Sequence, residues 1–181
     1  MTWKQEKLLA QIDTVRRFGN TVVVSGGLAW HMMSPPHIED KRHHDHSDVD
    51  LFIIPSKARE FFHILCGTGF NRYYTKYNTP NFYRYGKTIQ WDKKRVKVLL
   101  DLFIEEIPFI RIGNFQVVDP KHLLPLYETT HSSKKCTAVV NATELIRKGL
   151  NPINRPELVG LKPNKWELLQ FQRESKMFVH E

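Results

Sequence analysis

Asp48-Val49-Asp50 leads straight into Leu51-Phe52-Ile53-Ile54 and stops at Pro55. In an extended chain, residues i and i+2 point to one face. The pattern therefore sets two carboxylates side by side, with Val49 turned away. Two like charges that close repel unless a cation lies between them, and a divalent metal held by oxygen ligands suits such a pair. A third acid, Asp101, interrupts the apolar run Val98-Leu99-Leu100-Asp101-Leu102-Phe103-Ile104. An acid inside such a strand is unfavourable if it is buried without a partner. If the two strands are neighbours, the three carboxylates can hold two Mg²⁺ (or Mn²⁺) ions for in-line displacement at phosphorus. The third can also take the proton of an attacking hydroxyl. Each acid has a plainer reading beside this one. Asp48 and Asp50 could be solvated at a strand entrance, and Asp101 could be satisfied by backbone or by an Arg.

Ser25-Gly26-Gly27 supplies a second element of chemistry. It separates a β-branched run from a helical one. A backbone without side chains can approach a phosphate closely, and a helix N-terminus offers N–H groups to its charge. The plainer reading is a tight turn with no ligand.

These residues need elements to position them. Leu8, Leu9, Ile12, Val15 and Phe18 recur at helical spacing, and Gly19 is a stop signal. Thr21–Val24 reads as a buried strand, with a helix from Leu28 to Met33 closed by Ser34-Pro35-Pro36. Residues 37–47 read as a polar loop. Val49–Ile54 is the next strand. A helix capped by Ser56 follows and closes at Gly67. Strands are expected near Asn81–Tyr85, at Lys87–Gln90, at Val96–Ile104 and at Phe115–Val118, with helices over 121–129, 132–149 and Lys165–Met177. The order predicts an α/β (α+β) domain with a mixed sheet. Residues 1–120 would form the core, and 121–181 a C-terminal helical segment and arm.

Gly26-Gly27, then Asp48-Val49-Asp50, then Asp101 in an apolar strand resembles the DNA polymerase β-like nucleotidyltransferase superfamily, most of all its small antibiotic- and toxin-type members. Arg42 followed by His46-Ser47-Asp48-Val49-Asp50 is similar to a form common in that group. The likeness spans about residues 20–105. The spacer between Gly27 and Asp48 is longer than the likeness implies, and the extra residues fall in the loop Ser34–Asp45. The resemblance implies transfer of a nucleoside monophosphate from an NTP such as ATP to an acceptor hydroxyl, with release of pyrophosphate. It implies that Asp48 and Asp50 hold both metals, and that Asp101 ligates the second and deprotonates the acceptor. Ser25, Gly26 and Gly27 would hold the triphosphate, with Arg42 and His46 beside it. Lys134 and Lys135 are candidates for a further basic contact.

Composition narrows the partners. The chain of 181 residues has a net charge of +8 and a pI near 9.5. Residues 41–97 hold twelve Lys and Arg against five Asp and Glu. That excess favours an anionic acceptor, such as RNA or tRNA, over a polycation. The segment from Phe70 to Tyr85 interleaves aromatics with bases. Arg72, Tyr73, Lys76 and Arg84 are its candidates for stacking on bases and pairing with phosphates, although alternate aromatics also suit a sheet core. Two rivals follow: a catalytically silent nucleic-acid-binding module on the same fold, and a metal-dependent phosphohydrolase built on His43-His44-Asp45-His46. No apolar run approaches the roughly 20 residues of a membrane span. Cys66 and Cys136 make no disulfide framework, and an intracellular, cytoplasmic setting is the expectation.

Overall fold

The computed structural model describes residues 3–33, 48–74, 81–91 and 93–128. Helix α1 (Trp3–Phe18) ends at Gly19, whose φ of +56° is the left-handed stop that glycine adopts without strain. Strand β1 (Val22–Val24) follows, then helix α2 (Gly26–Met33), strand β2 (Val49–Ile53) and helix α3 (Ala58–Gly67). Strands β3 (Asn71–Tyr73), β4 (Phe82–Trp91), β5 (Lys94–Ile104), β6 (Phe109–Ile112) and β7 (Phe115–Val118) lead to helix α4 (Pro120–Glu128).

The strands form one seven-stranded sheet in the order β3-β4-β5-β2-β1-β7-β6. It is mixed, as predicted. β2 runs parallel to β5 and β1 parallel to β7, while β1 and β2 are antiparallel. Alternation sorts β5 cleanly. Val96, Val98, Leu100 and Leu102 are buried, whereas Arg95 and Lys97 are exposed. Helix α1 covers the apolar side, with Leu8, Ile12, Val15 and Phe18 in the core. Phe61 of α3 is fully buried and meets Phe18 edge to face at 5.1 Å.

Several expectations need correction. The strands expected at 81–85 and 87–90 are one strand, β4, which runs through Gly86. A Cβ there would lie 2.7 Å from the Tyr73 ring and 2.8 Å from Leu99, so the glycine marks a close approach rather than a break. The turn to β5 is tighter than expected, with Trp91 already paired to Lys94. Strands β3 and β6 were not foreseen. Ser56 does not cap α3. It lies in a 3₁₀ turn, Pro55–Lys57, and neither this turn nor α3 has a side-chain cap bond. Helix α2 begins at Gly26, earlier than expected. Of the C-terminal segment, α4 alone is described. The helices expected over 132–149 and Lys165–Met177 lie outside the described residues, as does Cys136.

Candidate active site

Asp50 and Asp101 are cross-strand partners in the parallel β2–β5 pair. Register partners project from the same face, and Asp48, two residues before Asp50, joins them. Carboxylate oxygens of Asp48, Asp50 and Asp101 all lie within 4.8 Å of one another. Asp101 is buried, at 8% exposure, and the other two are half-buried. The sequence predicted this convergence, and the fold produces it.

The Gly-Gly turn stands directly against this cluster. Gly26 has φ +61°, and a Cβ on it would fall 1.9 Å from Asp50 Oδ2. Glycine is thus required twice here, for backbone conformation and for the room that the carboxylate fills. Ser25 is buried. Its N–H donates to the Asp50 carbonyl at 2.8 Å, and its own carbonyl accepts from Ala29 N–H at 3.2 Å, opening α2. The turn is therefore tied through backbone to the strand that carries the acids. The Ser25 amide is engaged in that tie.

Arg84 is the residue whose place the sequence did not disclose. On β4 it is the register partner of Asp101. Its Nε donates to Asp101 Oδ1 at 2.5 Å, and its Nη2 donates to Asp101 Oδ2 at 2.5 Å and to Asp48 Oδ2 at 3.2 Å. The side chain is 30% exposed. The hydrogen bond to Asp101 raises the guanidinium above its ordinary range. Partial burial opposes this, and the charges of Asp101, Asp48 and Asp50 add to it. Arg84 is therefore a fixed positive charge at every working pH. Sequence reasoning placed it among bases that pair with phosphates. The structure seats it on the acids, as the plainer reading of Asp101 had it. The signal available was general: a buried Asp needs a partner.

The other nucleic-acid candidates divide between faces. Alternation and pairing put Tyr73, Arg84, Gly86, Thr88, Lys97 and Asp101 on one side of the sheet. Tyr73 is 40% exposed, and the Lys97 ammonium lies 4.8 Å from its ring centroid. Arg72 projects from the opposite side. Its guanidinium lies 4.9 Å from the Tyr74 ring and 5.0 Å from the Tyr83 ring. Arg42, His46, Lys76, Lys134 and Lys135 fall outside the described residues, as does the His43–His46 cluster.

The donor set suits a hard divalent cation. It consists of carboxylate oxygens, it is partly shielded from water, and a positively charged nitrogen already bridges two of its members. Asp48, Asp50 and Asp101 are the residues able to hold Mg²⁺ or Mn²⁺.

No family model and no curated protein matches the sequence. The fold is similar to the crystal structure of JHP933 from Helicobacter pylori, with a TM-score of 0.51 and 13% identity over 77% of this chain and 66% of that one. At that identity the likeness concerns the fold. A weaker likeness to the crystal structure of the Megavirus polyadenylate synthase has a TM-score of 0.38 and 11% identity, over 96% of this chain and 35% of the viral one. Among the described residues, no helix is long and apolar enough to cross a membrane.

Proposed function

We propose that the chain is a Mg²⁺- or Mn²⁺-dependent nucleotidyltransferase that moves a nucleoside monophosphate from an NTP to an acceptor hydroxyl of RNA. The observation that carries this reading is the Asp50–Asp101 pairing with Asp48 beside it, set against a glycine turn that opens a helix. One acid on β2, one just ahead of that strand and one on β5 can present oxygens from several directions to the same cations. When bound, those cations would neutralise charge on the triphosphate and on the departing pyrophosphate. Gly26 and Gly27 would admit the phosphates to the first turn of α2. Asp101 would accept the proton of the acceptor hydroxyl. The new bond forms between that oxygen and the α-phosphorus. The bond from the α-phosphorus to its bridging oxygen breaks, and pyrophosphate leaves with the electron pair.

The RNA acceptor draws its support from the sheet face that carries the acids. Lys97 lies four residues before Asp101 on β5, about 13 Å along the strand. It shares that side with Arg95, Thr88 and the partly exposed Tyr73 ring. Cations and an aromatic ring leading towards a phosphoryl-transfer site suit a single-stranded RNA end.

The test is incubation with each labelled NTP, Mg²⁺ and total RNA. Label should pass to RNA, and Asp101→Asn should lower transfer at least about 100-fold. Label on protein instead would reassign the acceptor. No transfer with any NTP would remove the catalytic reading. A second reading, a silent RNA-binding module, draws on the Arg84 contact, which neutralises Asp101 with no metal at all. It predicts RNA binding that is indifferent to Mg²⁺ and to Asp101→Asn.

A further inference from the structure

We propose that Arg84 is a built-in counter-cation that occupies the seat of the divalent metal and exchanges with it. The inference rests on the metal-site reading above. Its ground is the position of one nitrogen. Arg84 Nη2 donates to Asp101 Oδ2 at 2.5 Å and to Asp48 Oδ2 at 3.2 Å, so it bridges two carboxylates drawn from different stretches of chain. A cation ligated by Oδ2 of both acids along these lone pairs would lie where the nitrogen lies. Two positive groups cannot share that space, because each would be repelled by the other as well as excluded by its volume. Asp101 is engaged by the guanidinium at both oxygens, Oδ1 to Nε and Oδ2 to Nη2. Ligation there requires the fork to loosen or leave.

The arrangement can work as an exchange. The three carboxylates place oxygens within 4.8 Å of one another, a hard donor set that favours a divalent ion. Arg84 is partly exposed, which leaves the guanidinium a way out toward solvent. Arg84 is anchored opposite Asp101 on β4, so the released guanidinium stays near the acids, within reach of the phosphates of an incoming nucleotide. Before metal arrives, the fork holds Asp101 and Asp48 at the spacing that binding needs and removes the repulsion between them. Metal affinity is then set by competition, and the site fills above a threshold concentration.

The experiment is a Mn²⁺ titration, followed by calorimetry and by the loss of free-ion EPR signal, on the wild type, Arg84→Gln and Arg84→Met. Both variants should bind Mn²⁺ at least ten-fold more tightly than the wild type. Their metal-free forms should melt lower and gain more from saturating Mn²⁺. An independent measurement uses the wild type alone. The Arg84 Nε–H resonance should be protected from exchange without metal and lose that protection as Mg²⁺ saturates the site. Equal or weaker Mn²⁺ binding in the variants would overturn the inference, as would an Nε–H that stays protected while Mg²⁺ binds; either leaves the metal site standing. No metal binding by the wild type or either variant would remove the metal-site reading and this inference together.

Discussion

Gly26 is the residue at which conformation and chemistry meet. Alanine there would hold a left-handed backbone and push against the Asp50 carboxylate, whose Oδ2, Cγ and Cβ lie 1.9, 2.8 and 3.0 Å from the added carbon. The backbone alone makes this worth about 1–2 kcal/mol. Gly26→Ala should therefore lower stability by at least that amount in urea melts and weaken Mn²⁺ binding, because Asp50 must move. The acids and the glycines were legible because their pattern is local: i and i+2 in a strand, and a break between strand and helix. Arg84 was not. Which face of a strand a basic residue takes depends on the register of its neighbours. Nothing within Phe82-Tyr83-Arg84-Tyr85 states that Arg84 will stand opposite Asp101.

Strand β4 lies across the boundary between the acid-bearing face and the helical layer. Its Tyr83 and Tyr85 reach the other way, to Phe62 of α3, with ring centroids 5.6 and 6.1 Å apart. Burial raises the Tyr85 phenol above the ordinary tyrosine range, against the opposing charge of Arg72. The folded chain keeps this proton where the unfolded chain releases it. The contribution is complete below about pH 10 and is lost as pH rises through the folded value. Urea melts between about pH 9 and 11 should show the wild type losing stability more steeply than Tyr85→Phe. Element type was readable for the long periodic segments, such as α1 and β5. It failed for β3 and β6, which have three and four residues, too few to show a period. It failed at Gly86 because a glycine that admits a neighbouring ring looks, in sequence, like one that ends a strand.

The whole molecule is basic, and its charge bears on the proposed RNA acceptor. Binding of a single strand should weaken linearly in log–log plots against salt. Lys97→Ala should reduce that slope by about 0.7, the share of one phosphate contact, without changing Mn²⁺ affinity; filter binding across a salt series checks both. The mixed α+β architecture followed from the order of elements, while the strand order did not. Crossovers that bring β5 beside β2 are set by tertiary packing. The β2–β5 register also has a folding consequence. If β5 slipped by one residue, Asp101 would enter the oily layer beneath α1, and a leucine would take its place facing water. The misaligned chain would carry a charge into an apolar layer, at a cost in free energy. The acid of the proposed metal site thus also rejects the wrong alignment, so a chain that folds to stability has, by the same step, brought its three carboxylates together.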